Sequence, residues 1–355
     1  MGMAKSSALK PFPLVHDFVR EHSLLYGFVW YESDFRHITE LWSQTVERFV
    51  LIKEANTNKL HFWYNPQELE PLYEWVQNQL RTNPAYFELV KKRFYEYLNP
   101  LLPYVSNQKK IQTVKEFKIF YRHWLRWWSP MDSIFFIPDF ENVPLQFKHE
   151  ALQIREQTQH VTDEVDRVFK TFLNEKYPHY SDLADLMLPD EVFILEKRNL
   201  TPIERLEIEK RKQGCAIFRG KVLLLSQLDQ ALAKHSLFLE VTNPKKTNAL
   251  WGVSAYPGVA KGPARLVLYK SDLASVKAGE IIVTEMTSPE FVSAIQQAAA
   301  IVTDEGGITS HAAIICRELQ KPCVMGTRIA TQLIRTGDWI EVNAKHGTVR
   351  ILKQG

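Results

Sequence analysis

A break in residue usage near position 250 constrains what this 355-residue chain can fold into more than any other feature. Ten of its 14 glycines fall at or after Gly252, whereas seven of its nine tryptophans fall before residue 250. Glycine serves tight turns and close backbone approaches, while tryptophan fills large cores. The chain therefore reads as separate bodies with different packing problems, and its length allows two or three domains. A hydrophobic content of 45% is ample for packed cores in each.

Before residue 200 the apolar positions recur at helical spacing. Ile38, Leu41, Trp42, Thr45 and Phe49 follow it, as do Leu69, Leu72, Tyr73, Val76 and Leu80. Phe87, Val90, Phe94 and Leu98 continue the pattern, then Phe117, Phe120, Tyr121, Trp124 and Trp128, then Val161, Val165, Val168 and Phe172. Prolines at 66, 84, 100, 103, 130, 138 and 144 punctuate these stretches. Residues 1–200 are thus expected to form an aromatic-rich helical bundle, with Trp124, Trp127 and Trp128 read as core in preference to an aromatic slot for a planar ligand. A connector spans 201–249. Thr201-Pro202-Ile203-Glu204 forms a capping box that opens a charged helix ending at Gly214. A hairpin about Arg219-Gly220-Lys221 follows, and Asn243 to Asn248 reads as a linker.

Residues 250–355 carry the chemistry. The apolar run ending at Val302 reads as a buried strand that stops at Thr-Asp-Glu-Gly-Gly, and Ser310 to Leu319 reads as a helix capped by Thr309 or Ser310. His311 then sits in the first helical turn. Free backbone N–H groups and the positive end of the helix dipole favour phosphate there and disfavour an imidazolium. Gly306 and Gly307 let a phosphate donor approach, and Thr309 and Ser310 can bind phosphate oxygens or orient the ring. Arg317, six residues on, is a further candidate phosphate or partner contact. The other histidines lack metal-ligand spacing, so no metal site is expected.

These residues resemble the G-G-x-T-S-H-A motif of the swivelling phosphohistidine domain of phosphoenolpyruvate-utilising enzymes. Pyruvate phosphate dikinase, phosphoenolpyruvate synthase and rifampin phosphotransferase belong to that family. Ala255 to Gly262 resembles its opening segment, with Tyr256 where serine is usual. Gly279 to Val283 resembles a family strand, Thr287-Ser288-Pro289-Glu290 its T-x-P-(D/E) turn, and Ala330 to Gly347 its closing hairpin, with Asn343 where aspartate is usual. The resemblance implies a multidomain α and α/β protein. In it, an N-terminal helical bundle precedes a C-terminal swivelling β/β/α phosphohistidine domain whose catalytic residue is His311. Gly306, Gly307, Thr309, Ser310 and Arg317 would support the phosphate.

The family's complete members also carry an ATP-grasp domain and commonly a barrel. Only Gly2, Gly27, Gly214 and Gly220 precede residue 250, too scattered to cradle nucleotide phosphates. The expectation is a phosphocarrier with no cofactor of its own. Mg-ATP would come through an ATP-grasp-type partner in trans, and the phosphoryl group would pass to a small-molecule acceptor. Two other readings stand beside it: a docking or regulatory protein that keeps the fold, and a self-contained kinase resembling rifampin phosphotransferase. A net charge of +3 gives no argument for nucleic acid. Three cysteines without metal spacing, and neither a secretory signal nor a membrane-length apolar run, make a reduced cytoplasmic protein the expectation.

Overall fold

The computed structural model describes residues 11–241, 247–307 and 310–355. The chain divides into two compact units, 1–241 and 242–355. Both mix helices with a sheet. Among the described residues no helix is long and apolar enough to cross a membrane.

The first unit holds a six-stranded sheet, of which only the hairpin about Arg219-Gly220-Lys221 is anticipated by the sequence. Its strands are β1 (Phe12–Glu21), β2 (Phe49–Lys53), β3 (Lys59–Tyr64), β4 (Cys215–Phe218), β5 (Lys221–Leu224) and β6 (Leu237–Leu239). They lie in the order β5-β4-β2-β3-β1-β6, antiparallel except where β6 joins β1. The stretch from Ile38 to Phe49 is accordingly not a helix. A 3₁₀ turn at Ile38–Glu40 gives way to irregular chain, and Phe49 opens β2. Short apolar strands such as Phe-Val-Leu-Ile-Lys carry no periodicity that separates them from a buried helix face.

Four other apolar stripes do form helices, at Pro66–Thr82, Pro84–Leu98, Val114–Phe136 and His160–Lys176. Thr113 starts the longest with a capping box to Glu116. Trp124, Trp127 and Trp128 are completely buried along that helix, where Trp128 meets Tyr26 edge-on at 5.0 Å and Trp30 at 4.9 Å. Core packing explains this trio. The hairpin at Arg219-Gly220 turns through two positive φ values, 49° and 71°, as a tight two-residue loop requires. Residues 1–6, which match a loose myristoylation pattern, and Asn243 to Lys246 of the linker lie outside the described residues.

The first unit also buries a charged cluster. His22 stacks on Tyr26 at 3.7 Å and lies between two carboxylates, 3.3 Å from Asp163 and 3.6 Å from Asp166. Ser23 donates its hydroxyl to Asp166 and caps the helix Leu24–Glu32, and Lys170 reaches both Asp166 and Asp185. Burial pushes the imidazole pKa down, but the two carboxylates outweigh it and hold His22 above its ordinary value. Burial pushes Asp166 up; His22, Lys170 and Ser23 reverse this and hold it far below the usual carboxylate range.

The second unit carries an eight-stranded sheet. Its strands are β7 (Ala249–Trp251), β8 (Val253–Tyr256), β9 (Val259–Leu266), β10 (Ile281–Thr284), β11 (Ala300–Thr303), β12 (Cys323–Met325), β13 (Trp339–Asn343) and β14 (Thr348–Lys353). The order is β7-β14-β13-β9-β10-β11-β12-β8, and β9 to β12 run parallel. Parallel strands are covered on both faces, so successive residues feed two different cores. Ile281, Val283, Ala300, Val302 and Val324 pack on one side with the short helix Ala330–Leu333. Ile282, Ile301, Cys323 and Met325 pack on the other, against the helices Val292–Gln297 and His311–Glu318.

The His22 cluster contributes to the pH response of the first unit. A raised histidine pKa contributes stability below its unfolded value of 6.5 and loses it as pH rises through the folded value. The depressed Asp166 contributes above its unfolded value of 3.8 and fails only as pH falls through the folded one. Denaturant midpoints should therefore peak between these limits and fall on the alkaline side. In His22→Gln that alkaline fall should flatten, with a loss of roughly 3–5 kcal/mol near pH 6; an unchanged profile would exclude His22 as its source.

Candidate functional site

The carboxyl ends of β10, β11 and β12 bring three loops together, and that edge is where open parallel sheets bind ligands. Thr287 follows β10, the segment from Asp304 to Ser310 follows β11, and Gly326 to Arg328 follows β12.

Asp304 anchors the middle loop. Its backbone N–H donates to Thr284 and its carbonyl accepts from Arg328, tying it to both neighbouring loops. Its buried carboxylate accepts from the Thr327 hydroxyl at 2.9 Å, from the amides of Ala330 at 2.5 Å and Thr331 at 3.2 Å, and from the Thr331 hydroxyl. Burial raises its pKa; those hydrogen bonds pull the other way without cancelling it. Beyond it, Gly306 takes φ +98°, open to glycine alone at no cost. An added Cβ there would also press to 3.0 Å on the Ser310 hydroxyl.

His311 opens an eight-residue helix, His311–Glu318. Ser310 is its N-cap: the backbone is extended and the hydroxyl accepts from the Ala313 amide at 3.3 Å. The Ser310 amide in turn donates to the Gly307 carbonyl at 3.0 Å. The imidazole is half-buried, and its Nδ1 lies 2.9 Å from the Thr287 hydroxyl. That contact holds the ring from a loop 24 residues away in sequence. Thr287 is buried, and the sequence marks it only as part of a helix-opening turn, so its contact with His311 is the functional feature that motif reading missed. A lone threonine before an N-cap serine carries no signal of such a contact.

Gly306, Gly307, Ser310 and His311 therefore gather in one loop and helix start. Thr309 lies outside the described residues. Arg317 stands exposed in the last turn, six residues on, so about 9 Å of helix rise separates it from His311. Cys316, on this helix, and Cys323, on β12, are both buried. A hydrogen bond from Cys316, with burial, pushes the Cys323 thiol well up, which leaves it a packing group and not a nucleophile. Among the described residues no group of three or more His, Cys, Asp or Glu side chains could hold a metal ion.

The loop, histidine and helix match known proteins. Residues 276–347 fit the family model described as PEP-utilising enzyme, mobile domain. A probable phosphoenolpyruvate synthase of Archaeoglobus fulgidus is 33% identical over 177 residues, 50% of this chain and 20% of that protein. The phosphoenolpyruvate synthase of Pyrococcus furiosus is 49% identical over 100 residues, 28% of this chain and 12% of its own length. An uncharacterized phosphotransferase, YvkC of Bacillus subtilis, is 40% identical over 107 residues, 30% of this chain and 13% of that protein. The chain thus spans a fifth or less of these relatives. A solved Enzyme I structure aligns over 75% of this chain and 80% of its own at 12% identity, with a TM-score of 0.24, too low to bear on the fold. Residues 276–347 belong to the family of phosphoenolpyruvate-utilising enzyme mobile domains.

Proposed function

We propose that this chain is a phosphotransferase component in which His311 carries a phosphoryl group between a donor and an acceptor. The observation that carries the reading is the placement of His311 at a capped helix N-terminus with its Nδ1 engaged by Thr287. With Nδ1 so held, Nε2 is the nucleophile. Its lone pair attacks the phosphorus of the donor, the P–O bond to the leaving group breaks, and an N–P bond forms. An acceptor oxygen then attacks phosphorus, the N–P bond breaks, and the electron pair returns to Nε2. The covalent intermediate divides one difficult transfer into two easier ones.

Helix N–H groups meet the charge on the transferring oxygens, and Gly306 leaves room for the donor's approach. Thr309 and Arg317 are further contacts for phosphate or partner in this reading. The donor is an ATP-grasp-type protein acting in trans, which brings its own Mg-ATP. The domain swivels on the linker after residue 241 to reach a small-molecule acceptor, by likeness to phosphoenolpyruvate synthase. The names of the relatives, phosphoenolpyruvate synthase and phosphotransferase, support this chemistry.

Incubation of the purified chain with host lysate and ATP, followed by mass spectrometry at alkaline pH, tests the carrier role. An acid-labile phosphoryl adduct on His311, absent from His311→Ala, is the expected result. No adduct with ATP or with phosphoenolpyruvate as donor would favour a docking or regulatory role, and tight ATP binding by the isolated chain would favour a self-contained kinase. Thr287→Val keeps the shape and removes the hydroxyl. It should change the ring nitrogen shifts of His311 and slow adduct formation by roughly fivefold, the equivalent of about 1 kcal/mol. Unaltered shifts and rate would mean that Thr287 does not orient the ring.

A further inference from the structure

The first unit buries two carboxyl groups, Asp34 and Asp132, that no cation pairs within the described residues; they are 4% and 5% exposed. Each stands on an irregular stretch of helix. Asp34 lies in a π-helical turn, Ser33–His37, a geometry enriched at functional sites. Asp132 follows Pro130, which interrupts the hydrogen-bond ladder of the helix Val114–Phe136. Tyr64 donates its hydroxyl to Asp34 Oδ2 at 3.2 Å and the Trp30 indole N–H also favours the charged form of Asp34, but Asp34 Oδ1 makes no hydrogen bond of normal geometry, and neither do the hydroxyls of Ser33 and Ser129.

Both carboxyl groups line a cavity of about 20 Å³, walled by Trp30, Trp42, Tyr64 and Tyr73. Asp17, an exposed residue at the β1 bulge, lines it too and brings a third negative charge towards the surface. Burial drives Asp34 up to about 7 and Asp132 well above the carboxylate range. Asp34 adds to the shift of Asp132, and Arg20 only partly opposes it. Buried groups of like charge stay protonated unless a cation joins them.

We propose that Asp34 and Asp132 form a binding site for a primary ammonium group, a site independent of His311. The cavity has room for one water-sized group. An ammonium offers three donors and no acceptor, and aromatic faces attract its charge. Water would satisfy the orphaned oxygen without neutralising the pair. A divalent metal lacks a third ligand among the described residues, and a quaternary ammonium exceeds the space.

Methylammonium chloride, titrated into the purified full chain at pH 8 with tetramethylammonium chloride at equal ionic strength as control, tests the site. The expected result is a saturable rise in Tm with methylammonium alone, weakening as pH drops below 7 and Asp34 takes up a proton. Asp34→Asn and Asp132→Asn should each weaken binding by tenfold or more. Without amine at pH 8, Asp34→Asn should melt at or above the wild-type temperature, because its buried charge has gone, and Asp132→Asn, which replaces a protonated carboxyl, should melt close to wild type. No response in wild type, or equal binding by both folded variants, overturns the site. Variants that melt lower without amine would mark the pair as structural and overturn it as well.

Discussion

The geometry around His311 depends on one buried carboxylate. Asp304 ends β11, and the hydroxyls and amides it collects come from Thr327, Ala330 and Thr331, all beyond β12. A carboxylate taken out of water must be met by donors or it neutralises. Here those donors belong to the neighbouring loop and to the start of the helix Ala330–Leu333. The requirement to satisfy Asp304 thus fixes the paths of two loops at once. The chain leaves this anchor through Gly306 at φ +98° and reaches the Ser310 cap within a few residues, so the direction of the His311 helix follows from the anchor. Gly326, at φ +70°, runs so close that a Cβ there would approach the Gly306 carbonyl to 3.2 Å.

What sequence reading could reach here was local. A strand, a glycine turn, a hydroxyl cap and a helix lie within some twenty consecutive residues, so Ser310 and His311 could be assigned their places by backbone rules alone. The contacts that finish the site span larger separations. Thr287 meets His311 across 24 residues and Thr331 meets Asp304 across 27, and neither pair leaves a periodic or compositional trace. The same limit explains the first unit. Its four long apolar stripes are regular enough to identify helices. Apart from the β4–β5 hairpin, its strands escaped because β2 joins β4 across more than 160 residues, and because the buried, unbroken apolar character of a strand such as β2 suits a helix core equally well. At Ile38 to Phe49 a helical spacing was accidental, and tertiary pairing of Phe49 with Tyr64 prevailed over it.

Two buried polar clusters in the first unit show how differently charge can be managed in one core. Around His22 the account closes internally: two carboxylates flank the imidazole, Lys170 adds a second cation, and Ser23 serves both Asp166 and the helix cap. Every charged member has a partner, and mutual attraction overcomes burial strongly enough to reverse its effect on both His22 and Asp166. Such a cluster orients the helix Leu24–Glu32 against the helix His160–Lys176 and gains nothing from a ligand.

Asp34 and Asp132 present the opposite case. Desolvation dominates both groups, Asp34 worsens the position of Asp132, and Asp34 Oδ1 makes no hydrogen bond of normal geometry beside the cavity. A core selected only for stability would replace such a pair with apolar side chains, because a well-packed hydrophobic substitute commonly matches or exceeds a buried charged arrangement. The surrounding Trp30, Trp42, Tyr64 and Tyr73 show that this core has the bulk to do so. Retaining two carboxyl groups, on a π-helical turn and beside a helix-breaking proline, sacrifices regular structure as well as stability. An internal structural role would call for partners that the described residues do not provide, and a cationic ligand supplies the one component whose absence makes the arrangement costly.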